Sequence, residues 1–154
     1  MKHSKRHILK DVSRSFYLSM RLLPEAMREP VSLAYLLARA SDTLADTEGL
    51  DAELRCEMLK GFGEILRGGD RVIWIEKLND AVLPIQKHAG EATLLGMMDE
   101  VFDWLNELEC VPSRNAILKV MEHILHGQSL DIERFELQQS QVLQEDAELD
   151  EYCR

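Results

Sequence analysis

Apolar residues in this chain recur every three or four positions and almost nowhere at every second one. That periodicity commits the chain to amphipathic helices and leaves no material for a sheet. Eight glycines and four prolines punctuate the 154 residues sparingly. The pattern predicts helices near 5–19, 24–47, 51–67, 70–88, 91–109 and 113–138, with another beginning near Asp146. Pro24-Glu25 suits a first helical turn, and Gly49, Gly68-Gly69 and Gly90 suit helix ends, whereas Pro30 and Pro84 should bend a helix or move a boundary. The expected class is all-α. No Ser/Gly-rich linker and no fixed-period repeat divides the chain, which has room for one core or for part of a larger one.

Composition removes several function classes. Hydrophobic residues make up 45% of the chain, too many for disorder. A net charge of −10 argues against a general nucleic-acid binder, which needs excess Lys and Arg to displace counterions. The apolar run Leu33 to Ala38 falls far short of the ~20 residues that a bilayer core demands, so no transmembrane span is expected. Cys56, Cys110 and Cys153 are odd in number and form no C-x-x-C pair, which suggests a reducing, cytoplasmic compartment. The basic stretch at the start leads into Asp11, Ser13 and Arg14 and does not read as a secretory signal. Charge is also uneven: residues 1–31 hold seven Lys/Arg against three acids, and residues 128–154 hold eight acids against Arg134 and Arg154. Two solvated helix faces would explain this, and so would a basic lip facing an anionic substrate.

The segment 31–48, VSLAYLLARASDTLADTE, carries the most chemistry. With Tyr35 at 0° and about 100° per residue, Arg39, Asp42 and Asp46 fall within a stripe about 60° wide around it, and Leu33, Leu36, Leu37, Ala40 and Leu44 fall on the opposite side. One face packs and the other displays a tyrosine, an arginine and two aspartates. Aspartates at i and i+4 repel by a few tenths of a kcal/mol, and Asp is a poor helix-interior residue, so stability alone does not select the pair. Arg39 offsets part of that repulsion, and a hydrated Mg²⁺ held by one or two carboxylates plus phosphate oxygens would offset more. A chain with 28 acids contains many such pairs by chance.

The order Ser13-Arg14-Ser15-Phe16, then Pro24-Glu25-x-x-Arg28, then Tyr35-x-x-x-Arg39-x-x-Asp42-x-x-x-Asp46 closely resembles the N-terminal half of the squalene/phytoene synthase family. Gly127-Gln128-Ser129-Leu130-Asp131 is similar to that family's Gly-Met-x-x-Asp helix, and Glu148 to Cys153 to the stretch introducing its Tyr-Cys-x-x-Val-Ala-Gly motif. The resemblance implies a partial isoprenoid-synthase helical bundle around an apolar cavity. It implies enzymes that join two isoprenoid diphosphates, usually farnesyl diphosphate, head to head through a cyclopropyl diphosphate. By position, Asp42 and Asp46 would hold Mg²⁺ against the diphosphate, with Ser13, Arg14, Ser15, Tyr35 and Arg39 bordering it. Phe16 would line the prenyl cavity and Tyr152 would match the tyrosine implicated in the cation chemistry.

The family's second aspartate-rich motif lies beyond the Val-Ala-Gly segment, and the sequence stops at Arg154, before both. The expectation is therefore that residues 1–154 are the N-terminal portion of a single all-α domain, as a truncated piece or as a degenerate short homologue, and do not turn over substrate alone. NADPH dependence would belong to the full-length parent, whose protein could touch a membrane peripherally. Two copies could form a homodimer that covers exposed apolar faces. A non-catalytic helical homologue, acting in binding or assembly, is the competing reading.

Other conspicuous residues admit plain explanations. His123 and His126 lack the H-E-x-x-H order of a zinc site. Trp74 and Trp104 sit among apolar neighbours and should pack in the core. The seven methionines, Met97-Met98 included, would fill gaps in a core or line a prenyl pocket. Gly127 inside a helical run costs about 1 kcal/mol against Ala, which close approach of a helix or ligand would repay. Asp131 fits either a cavity rim or solvent, and Cys153 reads as a small buried apolar residue.

Overall fold

The computed structural model describes residues 3–152, with side chains for residues 5–149 other than 137 and 148. Among the described residues eight α-helices follow one another: α1 (His3–Val12), α2 (Arg14–Met20), α3 (Glu25–Asp46), α4 (Ala52–Leu66), α5 (Val72–Lys77), α6 (Ala89–Gly96), α7 (Met98–Glu107) and α8 (Val111–Tyr152). No strand occurs among the described residues, so the all-α expectation is met. No helix among them is long and apolar enough to cross a membrane.

Four boundaries differ from those predicted, each for a local reason. The helix expected over 5–19 breaks at Ser13, whose extended backbone lets its Oγ accept the Phe16 N–H at 3.3 Å and start α2. The helix expected over 70–88 stays α-helical only as far as Lys77. It then widens into a π turn at Leu78–Val82 and tightens into a 3-10 turn at Leu83–Ile85, where Pro84 cannot donate. The segment expected over 91–109 divides at Met97, just after the weak helix former Gly96. The helix expected to stop at 138 does not stop, because the mostly polar stretch 138–145 contains neither glycine nor proline, and α8 continues through Asp146 to Tyr152. Pro30 lies within α3 without interrupting it.

Gly49 and Gly68 follow helix ends with φ of +90° and +96°. Gly90 does not end a helix: it lies in the first turn of α6, where a Cβ would meet the Val12 carbonyl oxygen at 2.8 Å. Its missing side chain lets α6 seat directly on the end of α1.

Helix α3 runs through the core, lying against α4, α6, α7 and α8. Leu33, Leu36, Leu37, Ala40 and Leu44 are fully buried, as the helical wheel requires. The buried hydroxyls of Ser41, Thr43 and Thr47 bond back to carbonyls of their own helix, to Ala38, Arg39 and Thr43, which spares them the cost of burial. Arg55 of α4 donates to the Ala45 carbonyl at 2.9 Å and so caps the end of α3. Phe62, Trp74 and Phe102 meet edge to face with centroids 5.4–5.6 Å apart. Both indoles are buried and paired: Trp74 donates to the Met58 carbonyl and Trp104 to Glu29, each at 2.8 Å. Met98 is buried in the core beside half-buried Met97. A hollow of about 850 Å³ between α4 and α8 is lined by Leu59, Leu66, Leu118, Leu125 and Leu130.

Candidate functional site

The outward stripe of α3 is tied to three other helices. Phe16 of α2 stacks on Tyr35 with centroids 3.5 Å apart and rings 11° from parallel. Arg39 Nη2 lies 3.2 Å from Glu91 Oε1 of α6. Asp42 Oδ1 accepts from Gln128 Nε2 of α8 at 2.6 Å. Asp46 makes no hydrogen bond or ion pair among the described residues, and it is exposed.

Asp46 is also the last residue of α3, where the helix macrodipole presents its negative end. An anion there costs about 0.3–1 kcal/mol, on top of the repulsion from Asp42 one turn earlier. No hydrogen bond or ion pair among the described residues compensates it directly; Arg55 caps the same helix end at the Ala45 carbonyl, and Arg39 and Lys87 share the hollow that Asp46 borders. Both aspartates border a hollow of about 250 Å³ together with Arg39, Glu48, Gln86, Lys87, His88 and Glu91. Four carboxylates face two cations there, Arg39 and Lys87, so the hollow is net negative with neutral histidine. Lys87, 2.9 Å from Glu48, holds that carboxyl below its ordinary range by hydrogen bond and charge. Such a hollow repels a bare diphosphate and attracts a hard cation. Two exposed aspartates on one helix face fit Mg²⁺, which takes oxygen ligands and keeps several waters.

The remaining predicted residues sit apart from that hollow. Ser13 caps α2, half-buried; Arg14 and Ser15 are exposed in the first turn of α2, and none of the three lines the hollow. Phe16 is half-buried against the core and reaches the stripe through Tyr35. Tyr152 closes α8 with its side chain outside the described residues, and Cys153 lies outside them altogether. Gly127 is not a point of close approach, since a Cβ there would meet nothing within 4 Å. Asp131 is exposed, and His123 Nδ1 lies 2.9 Å from the Lys119 carbonyl of its own helix. Among the described residues no three His, Cys, Asp or Glu side chains converge as a metal cluster. Sequence reasoning missed Glu91 and the bond from Gln128 to Asp42. The only sequence signal was that Gln128 stands inside the Gly-x-x-x-Asp pattern.

The described residues thus form an all-helical core whose third helix turns Tyr35, Arg39, Asp42 and Asp46 away from the packed side. The comparisons carry this further: a family model described as squalene/phytoene synthase matches residues 9–154, and the chain belongs to that family. Among its relatives, "Squalene synthase LSS" of Botryococcus braunii is 38% identical over 55 residues, 36% of this chain and 12% of the relative. "Botryococcus squalene synthase" is 39% identical over 59 residues, 38% of this chain and 13% of the relative. "Lycopaoctaene synthase" from the same organism is 37% identical over 60 residues, 39% of this chain and 14% of the relative. The matched stretches thus cover less than two thirds of these curated relatives. No solved structure matches the chain.

Proposed function

We propose that this chain binds the diphosphate of an isoprenoid substrate through Mg²⁺ held by Asp42 and Asp46, as part of a head-to-head prenyl transferase that condenses two farnesyl or similar diphosphates. The observation that carries the reading is Asp46, an exposed, unpartnered carboxylate at the wrong end of a helix and one turn from a second carboxylate. A structural role does not explain that placement, and metal binding does. Bound there, the cation would neutralise the diphosphate and stabilise the charge of its departure.

The chain's own residues have distinct tasks in this reading. Arg39 offers its guanidinium fork to phosphate oxygens once Glu91 is exchanged for them. Glu91 keeps that fork aimed at the hollow until then. The stack of Phe16 on Tyr35 would set the plane of the Tyr35 ring and leave its phenol on the stripe. The hydroxyls of Ser13 and Ser15, with Arg14, would border the substrate from α2. Tyr152 would act on the allylic cation by its ring face or by proton exchange.

The family's second aspartate motif would complete the metal site, so the 154 residues alone would bind diphosphate without condensing it. An assay for magnesium-dependent condensation of farnesyl diphosphate tests both halves of the reading. No product is expected from the 154-residue chain, and none from a form that includes the second motif once Asp42→Asn or Asp46→Asn is introduced. Product from the short chain would overturn the division of labour. Undiminished product from the substituted longer form would overturn the role of the pair.

A further inference from the structure

We propose that Gln128 is a positioning residue that holds the Asp42 carboxylate in the orientation needed for the cation, a role that rests on Asp42 being a metal ligand. The two residues are 86 positions apart and meet only because α8 lies along α3. Gln128 Nε2 donates to Asp42 Oδ1 at 2.6 Å. One oxygen of the carboxylate is thereby fixed, and Oδ2 remains available for a cation or its waters.

The other end of the same amide shows that packing did not select it. Gln128 Oε1 is buried without a hydrogen-bond partner. A buried acceptor left unpaired is a cost that a methionine or leucine would not carry. A Cβ on neighbouring Gly127 would meet nothing within 4 Å, so space is not at a premium on that stretch of α8. The residue is therefore poor for the fold and well placed for Asp42. Partners that orient ligands from behind commonly show this trade, and their loss typically lowers metal affinity about 10–100-fold.

Gln128→Met and the near-isosteric Gln128→Glu test the proposal, because both remove the donor and they perturb shape and charge differently. Two quantities are measured on each: the thermal unfolding midpoint, and calorimetric affinity for inorganic diphosphate as a function of Mg²⁺, beside wild type and Asp42→Asn. The expected result is an unfolding midpoint for Gln128→Met equal to or above wild type, with Mg²⁺-dependent affinity lowered at least tenfold in both variants. A lower midpoint with unchanged affinity would make Gln128 a structural tie and overturn the proposal, as would no change in either quantity. Should wild type and Asp42→Asn bind diphosphate alike, with no dependence on Mg²⁺, the metal reading of Asp42 itself fails and the positioning role falls with it.

Discussion

On one side of α3, Leu33, Leu36, Leu37, Ala40 and Leu44 are sealed from solvent, whereas on the other Tyr35, Arg39, Asp42 and Asp46 stand half-buried or exposed. The first face is held by area removed from water and would tolerate apolar side chains that fill the same volume. The second is held by three specific contacts, to Phe16, Glu91 and Gln128, and its fourth member, Asp46, has no hydrogen bond or ion pair among the described residues. A helix needs only the first face to fold. The second face carries charge that the fold would be better without, which separates residues placed for stability from residues placed for chemistry.

Substitutions should divide along the same line. Leu37→Ala, on the sealed face, should cost about 2–5 kcal/mol, measured by denaturant unfolding, while the remaining folded molecules keep their affinity for diphosphate. Gly90→Ala drives a methyl into the Val12 carbonyl and should cost about 1–3 kcal/mol. It should also loosen Glu91 from Arg39, coupling the two faces in a way that Leu37→Ala does not.

Asp46→Asn should act in the opposite sense, raising stability by about 0.3–1 kcal/mol as it relieves the macrodipole and the Asp42 repulsion. A destabilised Asp46→Asn would erase the distinction between the faces. Glu91→Gln removes a part-exposed ion pair, so stability should shift by at most about 1 kcal/mol. Diphosphate affinity measured with Mg²⁺ should nevertheless rise, because Arg39 no longer has a resident carboxylate to leave.

The smallest effect belongs to the exposed pair Lys87 and Glu48. The lowered pKa of Glu48 means its contribution is present above its ordinary value of 4.5 and lost as pH falls through the lowered value. The stability difference between wild type and Lys87→Ala should therefore close in acid and in high salt. A gap that persists at low pH would contradict it.

The two faces were legible in the sequence because a helical wheel needs only spacing. The same holds for the leucines of α3 and the burial of Trp74 and Trp104, which follow from local apolar pattern. Breaks at Ser13, Met97 and the turn around Pro84 turned on single residues that cap or weaken a helix inside a pattern that still read as continuous. The length of α8 was hidden by the opposite effect, a mostly polar stretch whose Val142-Leu143 pair sets up no helical apolar rhythm but which is helical all the same. Glu91 and Gln128 were beyond the reach of spacing. Their partners lie 52 and 86 residues away, and only the packing of α6 and α8 beside α3 brings them together.

The central claim is that Asp42 and Asp46 were placed for a cation at the expense of the fold. Titration of inorganic diphosphate into the chain with and without Mg²⁺, repeated on the Asp42→Asn/Asp46→Asn double variant alongside its unfolding curve, tests it most directly. The account predicts binding only with Mg²⁺ in the wild type, and no binding in a double variant that is at least as stable. Equal binding by both proteins, or a double variant that loses stability, would contradict it.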